Sequence, residues 1–172
     1  RCKELSIVIK NEAALSALQK DKSGNIFSWP ASTAKWISAF FRDPSYFKAL
    51  WSEHEAIDMR LPQWSDIMAP ADWYVVYVNP PVDNWYSYVA LKHADWFMTV
   101  YGHISETSVK KYDFIKAWEV FAKSGWAKWT NWAGPMTSGP HLHFEMLKDK
   151  DFVDPLNYMD LTKLGMWKLP DS

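Results

Sequence analysis

Ser138-Gly139-Pro140-His141-Leu142-His143-Phe144-Glu145 leads into a stretch, His141–Leu147, that reads as a β-strand. Gly139-Pro140 punctuates the chain at its start, where a missing N–H does least harm to a ladder. Residues two apart on a strand share one face, so His141 and His143 project to the same side. Upstream, His54-Glu55-Ala56-Ile57-Asp58 holds a His and an Asp four apart, and on a strand these too share a face. Two imidazoles and one carboxylate are a sound zinc set that leaves a fourth position for water. A further His beside that water can handle protons. Each pattern alone is weak, because a single His in a strand is more often a satisfied core or surface residue than a ligand. The remaining two, His93 and His103, fall at the ends of predicted strands.

The surrounding chain has the texture of an antiparallel all-β domain. Asp66–Ala71, Tyr74–Val78, Ser87–His93, Phe97–His103 and Glu119–Lys123 are short, rich in β-branched and aromatic residues, and separated by turn-like segments. Short helices are predicted at Tyr46–Leu50 and Pro155–Leu161. Residues 3–20 read as an amphipathic helix, with Leu5, Val8, Ile9, Leu15 and Leu18 at roughly helical spacing. It is a docking helix or the remnant of a coiled coil that offers a surface to a partner. Residues 1–24 are therefore set apart as a helical segment, and residues 25–172 as the folded domain.

Composition narrows the function classes. The 172 residues are 48% hydrophobic and 23% charged, with a formal net charge of -1. That excludes a disordered chain and a nucleic-acid module built on bulk basicity. No apolar run approaches the roughly 18 residues of a membrane-spanning helix. The single Cys2 forms no internal disulfide and gives no compartment signal. The chain opens on Arg1 without a signal-peptide pattern and reads as a fragment or a mature form.

The Ser138–Glu145 string, with His54-Glu55-Ala56-Ile57-Asp58 and Tyr101-Gly102-His103-Ile104-Ser105 in this order, closely resembles the lysostaphin/LytM-type zinc endopeptidases of bacterial cell walls. The resemblance runs from about Phe27 to Leu161. Trp29-Pro30, Ile67–Asp72 and Val153-Asp154-Pro155-Leu156 support it. It implies a mostly β, compact antiparallel sheet domain with the metal in a groove. It implies one Zn²⁺ per chain held by His54, Asp58 and His143, with His141 and His103 as catalytic histidines and His93 in a supporting role. The implied substrate is the peptide part of peptidoglycan, and the implied location is extracellular or periplasmic. A non-catalytic relative, acting as a wall-binding module or amidase activator, is the competing expectation.

One ratio stands out: 12 Trp to 6 Gly. An average chain of this length carries about 12 Gly. Against the family pattern, Trp stands at Gly-type turns at Trp36, Trp51, Trp64, Trp73, Trp85, Trp96, Trp118, Trp126, Trp129 and Trp132. Either these residues form an aromatic surface, or a codon read here as Trp is translated as Gly by the source cell.

Overall fold

The computed structural model describes residues 27–34, 36–80, 86–127, 130 and 138–159. The helix expected over residues 3–20 lies outside them. Among the described residues eleven strands form: β1 (Trp36–Ala39), β2 (Ile57–Arg60), β3 (Asp66–Met68), β4 (Trp73–Asn79), β5 (Tyr88–Lys92), β6 (Phe97–Gly102), β7 (Ile104–Thr107), β8 (Phe114–Ile115), β9 (Val120–Ser124), β10 (His141–Lys148) and β11 (Asp151–Val153). One α-helix, α1 (Pro44–Leu50), and a 3-10 turn at Pro155–Asn157 complete the described elements. The expected mostly-β antiparallel class is the class found, and every strand pair is antiparallel.

The larger sheet runs β1-β2-β10-β6-β5-β4-β8, with β11 also on β10, and a second sheet runs β3-β9-β7. β10 lies in the interior of the larger sheet, between β2 and β6, and its alternation explains why. Leu142, Phe144 and Met146 are fully buried in the core, while His141, His143 and Glu145 take the opposite face. The core cluster draws on both sheets, joining Ile57, Leu91, Tyr101 and Phe144 to Ile67, Ile104 and Phe121. Tyr101 sits at its centre, edge-on to Phe121 at 4.9 Å and tilted against Phe144 at 5.3 Å.

Local chemistry sets the ends of α1. Asp43 caps it, its carboxylate accepting from the Ser45 N–H at 2.8 Å, and Pro44 takes the first turn, where no N–H is needed. It stops at Trp51, whose backbone is left-handed with φ 55° and whose N–H returns to the Phe47 carbonyl. The expected helix at Pro155–Leu161 shrinks, within the described residues, to the three-residue turn capped by Asp154. Five short strands, β1, β2, β7, β8 and β11, were not expected from sequence.

Trp73, expected at a turn, instead opens β4 with its side chain in the core. Trp36 likewise lies in β1. By contrast Trp51, Trp64, Trp96, Trp118 and Trp126 all have positive φ, between 55° and 73°.

Truncating Phe144 to Ala leaves a cavity against Tyr101 and is expected to cost about 3–5 kcal/mol, whereas Phe152→Ala on the exposed edge should stay within about 0.5 kcal/mol. Urea unfolding midpoints of the two variants check this.

Candidate metal centre

Strand register assembles the site. In the β2–β10 ladder His143 lies across from Asp58, and in the β10–β6 ladder it lies across from Gly102. Directly paired residues share a face, so the imidazole and the carboxylate meet on the face away from the core. Asp58 Oδ1 is 2.8 Å from His143 Nδ1 and 3.2 Å from His54 Nε2. His54 reaches this point from the segment before β2, not from a strand face as its spacing to Asp58 had suggested. Its ring is fixed from behind: Nδ1–H donates to the Phe40 carbonyl at 3.0 Å, and Tyr46 stacks on it at 4.3 Å. A carbonyl only accepts, so Nδ1 carries the proton and Nε2 keeps its lone pair.

His54, Asp58 and His143 could hold a metal ion, one ligand atom from each lying within 4.8 Å of the others. The donor set fits zinc, with two imidazole nitrogens and one carboxylate oxygen. Buried His54 Nε2 faces the carboxylate without a hydrogen-bond partner of its own, as a metal-directed lone pair would. His143 is also held from behind. Its Nε2 lies 3.3 Å from Glu145 Oε1, and the Tyr86 hydroxyl donates to the same oxygen at 3.2 Å. A carboxylate on the far nitrogen of a ligating imidazole orients the ring and raises its basicity.

Two more imidazoles border the cluster. His141 Nδ1–H donates to the Gly139 carbonyl at 2.8 Å, which leaves Nε2 unprotonated, 3.7 Å from Asp58 Oδ2. His103 follows β6 directly, its ring 4.8 Å from that of His141 and 5.5 Å from that of His143. Its backbone is left-handed, φ 60°, a costly conformation for a residue with a Cβ. Gly125 ties the pair together, donating its N–H to the His103 carbonyl at 2.7 Å and bridging to His141. A Cβ there would approach that carbonyl to 2.8 Å. The Trp126 indole stacks on His103 at 3.8 Å and meets His141 edge-on at 4.8 Å.

Electrostatics separate the groups. Burial opposes charge on Asp58, but the hydrogen bond from His143 and the close approach of the other imidazoles outweigh it and hold the carboxyl well below its usual range. Burial also opposes charge on His143, yet Asp58 and Glu145 raise it to about 9. Burial, then the neighbouring His141 and His143, pushes His103 down to about 2, and burial lowers His141 as well. Both flanking imidazoles are therefore neutral at pH 7.

All five residues expected at the site converge on it. His93 does not. It is buried in the core, its Nε2 against the Thr99 hydroxyl and its ring edge-on to Phe27 and Trp73. Glu145, Tyr86 and Trp126 are not among the site residues expected from the sequence. Glu145 continues the two-residue alternation of His141 and His143 and could have been found by it. Tyr86 and Trp126 arrive through tertiary contacts that no local pattern announces.

The sequence profile of Peptidase family M23 matches residues 52–155. The chain belongs to this family. Cell division protein DipM of Caulobacter vibrioides is 31% identical over 150 residues, covering 84% of this chain. Murein hydrolase activator NlpD of Escherichia coli is 27% identical over 132 residues, covering 77%. The M23 chain spans 22% of DipM and 32% of NlpD. The catalytic domain of the antimicrobial peptidase lysostaphin from Staphylococcus simulans shares the fold, with TM-score 0.51 and 21% identity over 62% of this chain and 78% of that one.

Replacing Glu145 by Gln removes one of the two carboxylates that favour the His143 imidazolium. The His143 pKa should fall from about 9 toward its ordinary value near 6.5. An NMR titration of the chelator-treated protein reads the shift.

Proposed function

We propose that this M23 domain is a zinc-dependent endopeptidase that hydrolyses peptide cross-links or bridges of bacterial peptidoglycan. The observation that carries the reading is the convergence of His54, Asp58 and His143 on one point with His103 and His141 beside it. His54 Nε2, one Asp58 oxygen and His143 Nδ1 would hold the zinc. When bound, zinc supplies Lewis-acid polarisation of the scissile carbonyl and acidifies water.

The chain's own groups supply the remaining chemistry. His141 Nε2, neutral and aimed at the centre, accepts the proton of the attacking water and returns it to the leaving amine. His103 lies where it can donate to the oxyanion that develops as the carbonyl becomes tetrahedral. That donation requires only the neutral tautomer, which its burial enforces. Glu145 and Tyr86 keep the His143 ring from turning during the cycle. The work is done in the cell envelope, where the substrate lies.

Likeness to NlpD, named an activator of murein hydrolases, favours a second reading. In that reading the domain binds wall or amidase and does not cut. The complete ligand set and both flanking His weigh for catalysis.

Digestion of defined muropeptides, with mass spectrometry of the products, decides between the two. New amine termini support the peptidase, whereas intact muropeptides with stimulation of a separate amidase support the activator. His143→Ala is expected to lose zinc and activity together. His141→Ala should keep its zinc and lose at least about 100-fold in kcat. Metal analysis beside the rate measurement reads both, and full zinc occupancy in His143→Ala would overturn the ligand assignment.

A further inference from the structure

Five tryptophans occupy backbone positions of positive φ, which favour glycine. Trp51 is the left-handed cap that ends α1, the position where helices most often place Gly. Asp95 and Trp96 are the central pair of the β5–β6 hairpin, closed by the Phe97 N–H on the Ala94 carbonyl, and both have φ above 50°. That is a type I′ turn, for which Asp-Gly is a preferred pair. Trp64 and Trp118 are the third residues of the turns Pro62–Ser65 and Lys116–Glu119, each closed by a return hydrogen bond and each with positive φ at the Trp. A third turn residue with positive φ is the glycine site of a type II turn. Trp126 follows β9 with φ 73°.

A bulky side chain is strained in this region, and burial could offset the strain only by removing the indole from water. At four of the five it does not: Trp51 is 84% exposed, Trp96 69%, Trp64 62% and Trp118 54%. At the fifth the indole covers the His103 ring and the edge of His141. An aromatic surface for ligand stacking does not account for this set. It gives no reason for the side chains to fall at a helix cap, a type I′ hairpin and two turn corners, where the backbone alone selects the residue.

We infer that positions 51, 64, 96, 118 and 126 are glycine in the protein that the source cell makes, the codon at each being read there as Gly. We infer also that glycine at 126 leaves the inner faces of His103 and His141 open to the substrate peptide, a consequence that rests on the peptidase reading. Conformation does not extend the inference to Trp36 or Trp73, which lie in strands. A shared codon would.

Three measurements test it. Codons at the five positions should be UGA, with UGG at Trp29, and peptide masses of the protein from the source cell should carry Gly at all five. UGG at these sites, or peptides with the mass of Trp, overturns the inference. Second, recombinant chains with Trp or with Gly at the five positions are compared by thermal melting. The Gly chain should melt higher by about 2–4 °C for each relieved site, and an equal or lower melting point overturns the conformational argument. Third, Trp126→Gly alone should raise kcat/KM on a defined cross-linked muropeptide at least about 10-fold at equal zinc content. An unchanged rate in a chain that does cut overturns the open-face consequence. Should neither chain cut, the peptidase reading fails, while codons, masses and melting still judge the glycine assignment.

Discussion

The pairing of β10 between β2 and β6 is the constraint on which the site depends. It sets His143 across from Asp58 on one side and from Gly102, the neighbour of His103, on the other. A slip of one residue would turn His141, His143 and Glu145 into the core and bring Leu142 and Phe144 out to solvent. The buried aromatic cluster of Tyr101, Phe121 and Phe144 forbids that slip. The hydrophobic core thus does more than hold the sheets together, because its packing selects the register in which one donor atom each from His54, Asp58 and His143 lies within 4.8 Å of the others.

Around that centre the protein fixes three of the four imidazoles through the nitrogen not aimed inward. Phe40 accepts from His54, Gly139 accepts from His141, and Glu145 faces His143. Backbone carbonyls serve two of the three, so the tautomers follow from the path of the chain and need no added charge. The third uses a carboxylate, itself steadied by Tyr86. Gly102 makes that arrangement possible, since a Cβ there would lie 2.5 Å from the Tyr86 hydroxyl oxygen.

The sequence disclosed these features unevenly, for physical reasons. β5, β6 and β10 are five residues or longer and rich in β-branched, aromatic or alternating residues, and their bounds fell within a residue or so of expectation. β8 and β11 have two and three residues, too short for any periodic signal. The pair His141 and His143 was legible because strand alternation alone puts them on one face. His54 was legible as a ligand type and not as a strand residue, since its approach depends on the loop that Arg42 and α1 shape. Tyr86 and Glu145 are 59 residues apart, and no local spacing could have joined them.

His103 is the single residue between β6, in the larger sheet, and β7, in the smaller one. The chain changes sheet there, and its left-handed backbone makes the corner. His141 lies on β10 of the larger sheet and meets the chain leaving the smaller one only through its bridge to Gly125. The gap between the two flanking imidazoles is therefore a gauge of how the sheets are docked. Packing changes at Ile67, Ile104 or Phe121 would be felt as a change in the spacing between the two rings, although none of those side chains is part of the site.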